Sequence, residues 1–187
     1  MANKGFISSP EAFIRQIRQN LTEGRYTLGN DGFSIVKELV QNADDAGATK
    51  LHIGVHDNLS GSDHPLLRSP GLFVVNDGPF EPHDADNLRR FGINTKALDS
   101  AKIGKFGLGL KSIFHLCEAF FFLGQAGSGP SARLIADVLN PWSGEHDDGF
   151  HPDWDVFSSG DRNRILAALA PFYGNSLCFC LWIPLRQ

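Results

Sequence analysis

The stretch FSIVKELVQNADDAG, residues 33–47, carries both a clear helical pattern and an unusual row of polar side chains. Apolar residues recur there at helical spacing, which predicts one stripe packed against a core: Ile35, Val36, Leu39, Val40, Ala43 and Ala46. On another side, Glu38, Asn42 and Asp45 fall at i, i+4 and i+7, so they stack along one line. Asn and Asp are weak helix formers, and the two carboxylates repel each other. The row is therefore either a solvated polar face or the wall of a pocket, with Asn42 holding a hydrated cation and Glu38 handling a proton.

Composition and charge restrict the classes of protein to which this chain can belong. With 187 residues, of which 42% are hydrophobic and 20% charged, it predicts one globular domain, residues 1–187. The net charge of −4 gives no reason to expect nucleic acid as a partner. The apolar run around Ala119–Leu123 is too short to span a membrane, and the N-terminus lacks the apolar core of a secretory signal. We therefore expect a cytoplasmic protein with no membrane partner and with three reduced cysteines, Cys117, Cys178 and Cys180.

Periodicity and turn signals divide the chain into helices and strands. Helical patterns predict helices at residues 10–21, 33–46, 82–90, 108–117 and 161–172. Strand patterns predict strands at residues 50–57, 71–75, 118–124, 133–139 and 177–184. The acidic loop 140–160 is interpreted as a solvated insertion, because its spacing fits no metal-ligand template. This order of elements predicts an α/β sandwich with helices on one face of the sheet.

A glycine-rich segment, IGKFGLGLKS at residues 103–112, opens the fourth predicted helix. Its glycines have the spacing G-x-x-G-x-G, which can place backbone N–H groups around an anion at the positive end of a helix. A Walker P-loop needs contiguous Gly-Lys-Ser/Thr, whereas Leu110 separates Gly109 from Lys111 here. The Rossmann fingerprint has the reverse spacing, G-x-G-x-x-G. On its own the segment is therefore either an anion-binding loop or a flexible turn that caps a helix.

Three segments taken together are much more specific than any one of them. They are the helix with Glu38, Asn42 and Asp45, the turn at residues 76–78, and the glycine-rich segment. In this order they resemble the nucleotide-binding boxes of the GHKL ATPases, and most closely those of the chaperone branch with the sacsin-like repeats. Specific motifs carry the resemblance over residues 33–116, and element order carries it over the rest. The resemblance implies the Bergerat fold, an α+β two-layer sandwich with a mixed, mostly antiparallel sheet and helices on one face.

The resemblance also implies roles for individual residues in binding ATP and Mg²⁺. Glu38 corresponds to the general base that polarises the attacking water, and Asn42 to the magnesium ligand. Asp45 corresponds to a position that lines the adenine side, and Ala46 beside it belongs to the same nucleotide-binding segment. The glycine loop would cradle the phosphates, and residues 91–102 would form the ATP lid, from which Lys96 or Lys102 could reach them. The loop residues assigned to the nucleotide are Gly104, Lys105, Phe106, Gly107, Leu108 and Gly109.

The second box, Asn76-Asp77-Gly78, departs from the family pattern at its adenine end. The adenine-binding aspartate of the family corresponds to Asn76, which is neutral and carries two donors besides its accepting oxygen. Asn76 and Asp77 therefore both stay candidates for contact with the base. Phe80 follows Pro79, and the second glycine of the family's box is missing. Sacsin-like members share an Asn-rich version of this box, so the departure favours that branch.

Two hypotheses about function follow from the resemblance. The first is an ATP-binding, slowly hydrolysing, magnesium-dependent N-terminal module of a sacsin-like chaperone, with protein clients or partner domains and dimerisation through regions outside this chain. The second is a nucleotide-responsive binding module without meaningful hydrolysis, in which ATP closes the lid and changes partner contacts. Glu38 in the base position favours the first. A topoisomerase- or MutL-type DNA-processing ATPase fits less well, because the chain is acidic.

Overall fold

A five-stranded sheet forms the centre of the part of the chain that the structure describes. The computed structural model describes residues 15, 17–19, 32–89, 113–142, 154–174 and 177–186. The helices and strands among them are Gly32–Asp45 (α1), Leu51–His56 (β1), Gly71–Asn76 (β2), Pro82–Arg89 (α2), Phe120–Ala126 (β3), Arg133–Leu139 (β4), Ser159–Tyr173 (α3) and Phe179–Pro184 (β5). Short 3₁₀ turns lie at Pro65–Arg68 and Gly129–Ser131. Among the described residues, no helix combines the length and the apolar character needed to cross a membrane.

The last strand, β5, occupies the middle of the sheet. The strand order is β1-β2-β5-β3-β4, and each strand is antiparallel to its neighbours. In β5, Trp182 lies opposite Phe73 of β2 on one side and opposite Phe121 of β3 on the other. A parallel bridge between Phe80 and Ala126 attaches the loop after β2 to the end of β3. The pairs β1–β2 and β3–β4 are thus two hairpins that β5 joins into one sheet.

Both faces of the sheet are covered, because strand residues alternate between two apolar clusters. The first cluster joins the sheet to α1 and α2 and includes Ile35, Leu39, Val74, Leu88, Phe122 and Leu181. The second joins it to α3 and includes Val75, Phe121, Ile165, Leu169, Cys180 and Trp182. The expected α+β class is confirmed, and the sheet expected to be mixed and mostly antiparallel is antiparallel between all neighbouring described strands. The expectation that the helices lie on one face is wrong for α3. The physical reason is that β3 and β5 are buried on both sides, so one layer of helices could not cover them.

Strand glycines lie directly under aromatic rings at several points of the sheet. A Cβ added at these positions would come 2.6 Å from Phe73 at Gly54, 2.4 Å from Trp182 at Gly71 and 2.2 Å from Phe80 at Gly124. Ordinary contacts between carbon atoms lie at about 3.5–4.0 Å. The rings can therefore rest on the backbone only where the side chain is absent.

The helix α3 is fixed to the connection between β1 and β2 through a buried carboxylate. Asp161, in the first turn of α3, accepts hydrogen bonds from the backbone N–H groups of Asp63 (2.8 Å) and His64 (3.1 Å). Nδ1 of His64 accepts from the N–H of Leu66, and Nε2 lies 2.9 Å from the carbonyl oxygen of Trp154, a pattern that needs the neutral ring protonated on Nε2. Burial lowers the pKa of His64 from its ordinary value of 6.5, against the raising effects of the Trp154 carbonyl and the Asp161 charge.

The predicted elements agree with the structure at most boundaries. The main difference is the helix predicted at residues 108–117, where the described residues 113–115 form a single 3₁₀ turn. Arg186 explains where that turn stops, because its guanidinium donates to the carbonyl oxygens of Phe114 (3.2 Å) and Cys117 (3.1 Å). The strand β3 begins at Phe120, two residues later than predicted, because a run buried on both faces has no alternation to mark its start.

Candidate functional site

The C-terminal end of α1 is closed by a glycine turn that leads into β1. Gly47 has a φ of +73°, a conformation that favours glycine. Its N–H donates to the carbonyl of Asp44 (2.8 Å), while the N–H of Ala48 donates to the carbonyl of Ala43 (2.9 Å). These two bonds form a Schellman motif, which ends α1.

The polar row of α1 lies at the border between the core and the surface. Ile35, Leu39 and Ala43 are buried, whereas Glu38 and Asn42 are half-buried on the neighbouring line of the helix. Asp45 is exposed, and Ala46 continues the half-buried line in its place. Glu38 and Asn42 therefore share one side of α1, and Asp45 lies outside this border.

The amide nitrogen of Asn42 is buried and has no hydrogen-bond partner among the described residues. A buried donor without an acceptor costs roughly 1–3 kcal/mol in comparable cases. A polar ligand with accepting oxygens at this point would satisfy the donor. This orphaned group is the observation in the described part of the chain that fits a bound ligand beside α1.

The loop after β2 contacts the end of α1 directly. The side chain of Asn76, which is 8% exposed, accepts a hydrogen bond at Oδ1 from the N–H of Gly78 (3.0 Å). A Cβ added to Gly78 would lie 3.0 Å from the Cβ of Ala46 and 3.2 Å from its carbonyl oxygen. The first and second boxes therefore meet through Gly78 and Ala46, with Asn76 held in one orientation beside them.

Asp77 turns away from Asn76 and binds the segment that follows α1. Its Oδ1 accepts from the backbone N–H groups of Thr49 (2.7 Å) and Lys50 (2.8 Å), and its Oδ2 accepts from the hydroxyl of Thr49 (2.6 Å). The hydrogen bonds from Thr49 and Lys50 lower the pKa of Asp77 below its ordinary value of 3.8. The carboxylate is therefore an ionised acceptor already engaged with the protein.

Phe80 anchors the same loop to the sheet. Its ring is 3% exposed, lies over Gly124 and stacks on Phe179 with the ring centroids 5.2 Å apart. A glycine in this position could not make these contacts. Burial of the Phe80 ring therefore holds the loop against the sheet.

Several residues of the predicted site lie outside the described part of the chain. They are Lys96, Lys102 and the rest of the expected lid at residues 91–102, and Gly104, Lys105, Phe106, Gly107, Leu108 and Gly109 of the glycine loop. The described part of the site thus consists of Glu38, Asn42, Ala46 and the loop of residues 76–78, with Asp45 at its exposed border.

A separate cavity of about 440 Å³ lies on the α3 side of the sheet edge. Neither Glu38 nor Asn42 lines it; its walls are Lys50, His52, Val75, Asn76, Asp77, Pro171, Phe172, Tyr173, Gly174 and Cys178. Burial raises the pKa of the Cys178 thiol, and the negative charge of Asp77 adds to this effect. Asp77 and Asn76 therefore stand between this cavity and the end of α1.

The sequence did not indicate Thr49 and Lys50 as part of the site. Both bind Asp77 across 27 or 28 residues of chain, and no local pattern reveals such a pair. The weak signal available was an acidic residue at the end of a strand together with a hydroxyl residue just beyond a helix C-cap. His52 and Cys178 of the cavity carried no signal that distinguished them from ordinary strand residues.

Comparison with known proteins agrees with the sacsin-like part of the resemblance. The model of the sacsin domain family matches residues 11–135, which include α1, β1, β2 and the loop after β2. Sacsin from Homo sapiens is 33% identical over 94 residues, a match that covers 47% of this chain and 2% of sacsin. The chain therefore spans only a small part of the length of that relative. From the family match over residues 11–135, the chain belongs to the sacsin domain family.

Proposed function

We propose that this chain is an ATP-binding module that hydrolyses ATP slowly with the help of Mg²⁺ and belongs to a chaperone-type protein. The observation that carries the proposal is the half-buried pair Glu38 and Asn42, on the line of α1 that ends at Ala46 against Gly78, with the Asn42 amide nitrogen lacking a partner among the described residues. When bound, Mg-ATP supplies a divalent cation and a γ-phosphoryl group that water can attack.

The proposed roles of the side chains follow from their chemistry. The amide oxygen of Asn42 suits Mg²⁺, which prefers oxygen ligands and keeps several waters, while its buried nitrogen can donate to a phosphate oxygen. Glu38 lies one helical turn before Asn42 on the same half-buried line, so its carboxylate can accept the proton of a water beside the cation. Asn76 can accept from the amino group of adenine while Gly78 holds its orientation.

Nucleotide binding is tested by calorimetry on the full chain with millimolar ATP and Mg²⁺. Asn42→Ala should abolish the dependence of binding on Mg²⁺. Gln41→Ala is the matched control, because Gln41 carries the same amide on the exposed side of the same helix. Absence of binding heat for the unmodified chain would refute the proposed function.

Hydrolysis is tested by release of phosphate from ATP. Glu38→Ala should lower the rate roughly a hundredfold or to background, in line with the usual contribution of a general base. Asp44→Ala is the control, since it removes an exposed carboxylate from the same helix and should leave the rate unchanged. Equal background rates for Glu38→Ala and the unmodified chain, together with intact binding, would leave a nucleotide-responsive binding module without turnover.

A further inference from the structure

The carboxylate of Asp77 connects the loop after β2 to the segment that follows α1 through hydrogen bonds. Oδ1 receives two backbone N–H groups and Oδ2 receives the hydroxyl of Thr49, at distances of 2.6–2.8 Å. The N–H of Asp77 also reaches the carbonyl of Lys50 (3.4 Å). Hydrogen bonds to an ionised acceptor are shorter and stronger than neutral ones. The strength of this contact therefore depends on the negative charge of Asp77.

The segment that Asp77 holds is short and rigidly connected to α1. Thr49 comes two residues after Gly47, whose Schellman motif fixes the direction in which the chain leaves the helix. In the loop after β2, Gly78 lies against Ala46, directly after the last residue of the same helix. Movement of Thr49 away from β2 would therefore move the end of α1 relative to the loop of residues 76–78.

We infer that Asp77 is a positioning residue of the proposed nucleotide site, which sets the distance between α1, with Asn42, and the base-binding position at Asn76. The inference rests on the proposed function. The Asp77 carboxylate faces Thr49 and Lys50, where Oδ1 accepts two hydrogen bonds and Oδ2 accepts one, so we assign its charge to this contact and not to the base. Asn76, whose Oδ1 keeps a second lone pair beyond its bond from Gly78, is left as the side chain that meets adenine.

The two possible roles of Asp77 differ in their effect on base recognition. If Asp77 positions α1, Asp77→Asn should lower the affinity for ATP and for purine riboside triphosphate, which lacks the 6-amino group, by the same factor of about ten. If Asp77 instead accepts a hydrogen bond from the amino group, the variant should have a lower affinity for ATP only. It would then lose its preference for ATP over the analogue. Calorimetry with both nucleotides and Mg²⁺, at a temperature where circular dichroism shows both proteins fully folded, separates the two roles.

Thr49 allows the same test from the opposite side of the contact. Thr49→Val removes the hydroxyl that donates to Asp77 Oδ2, so it should lower the affinity for both nucleotides by the same factor. Thr49→Ser keeps the hydroxyl and should bind both nucleotides as the unmodified chain does. A double-mutant cycle should show that Thr49→Val adds little once Asp77 is Asn. Asp57→Asn is the charge control, since the exposed Asp57 side chain makes no hydrogen bond or ion pair to any residue that the structure describes.

Each outcome decides between the possibilities. Parallel weakening by Asp77→Asn and Thr49→Val, with Thr49→Ser and Asp57→Asn unaffected, supports the positioning role. The positioning role is overturned if a folded Asp77→Asn protein keeps its affinity, or if it loses its preference for ATP over the analogue. In both cases the unmodified chain still binds nucleotide, so the proposed function stands. Absence of binding by the unmodified chain instead overturns the proposed function, and the positioning role with it.

Discussion

The contact between Gly124 and Phe80 predicts a large loss of stability from the smallest possible change, Gly124→Ala. The new Cβ would lie 2.2 Å from Cδ1 of Phe80, so the ring would have to withdraw by more than about 1 Å to restore an ordinary contact. The ring has little room to move, because it is 3% exposed and stacked on Phe179. Overpacking usually costs about 1–3 kcal/mol, and complete loss of a buried phenylalanine about 3–5 kcal/mol. We therefore expect a loss of about 3 kcal/mol.

Urea unfolding of the full chain, followed by circular dichroism, measures this loss. The melting temperature should fall by about 6–12 °C for a domain of this size. Gly160→Ala is the matched control: in the first turn of α3 its Cβ would lie 3.3 Å from the flexible end of the Arg164 side chain, and at ordinary contact distances from Ser158 Oγ (3.5 Å) and Asp63 Oδ2 (3.9 Å). That variant should be neutral or stabilised by up to about 1 kcal/mol, because alanine favours a helix.

A second background tests whether Phe80 is the cause. Once Phe80 is replaced by Ala, the change Gly124→Ala should no longer destabilise, and it should stabilise by up to about 1 kcal/mol because glycine weakens a strand. An equal loss in both backgrounds, or a loss below about 0.5 kcal/mol in the unmodified chain, would refute the reasoning.

Three further predictions concern the junctions around the sheet. Asp161→Asn should lower the free energy of unfolding by about 2–3 kcal/mol, since an NH₂ group would face one of the two N–H groups that Asp161 now accepts from, whereas Asp57→Asn should change it little. Because the pKa of His64 is lowered in the folded state, its contribution to stability is complete above pH 6.5 and is lost as the pH falls through the lower folded value. Urea unfolding of the protein and of His64→Asn between pH 7 and pH 5 should therefore show a steeper loss for the unmodified chain, and parallel curves would contradict this. Gly47→Ala should cost about 1 kcal/mol, because φ is +73° although no atom would clash with the Cβ, and Gly47→Asn should cost less, as thermal unfolding of both variants can show.

The sequence predicted what depends on local periodicity and could not predict what depends on distant contacts. The helix α1 and the strand β4 follow from neighbouring residues, and the structure places them as expected. The position of α3 on the second face could not be inferred from a helical pattern, because such a pattern does not show which side of a sheet the helix covers. The engagement of Asp77 by Thr49 was equally hidden, since it joins residues 28 apart.

The candidate site was predictable to a similar extent. Residue types and spacing indicated Glu38 and Asn42, and the structure places both on one half-buried line of α1. Asp45 is exposed because the helical line that reaches the loop after β2 ends at Ala46. The roles of Lys96 and of the loop from Gly104 to Gly109 stay predictions.

The central place of β5 determines the order in which the fold can be completed during synthesis. Until residues 179–184 are available, the β1–β2 hairpin and the β3–β4 hairpin have no strand between them, and β2 and β3 each present an unpaired edge. Such edges are templates for pairing with other chains. This domain would therefore be most prone to aggregation just before β5 emerges, and contacts over such long stretches of sequence also slow folding. Loss of β5 would not shorten this sheet at its border but would divide it in two.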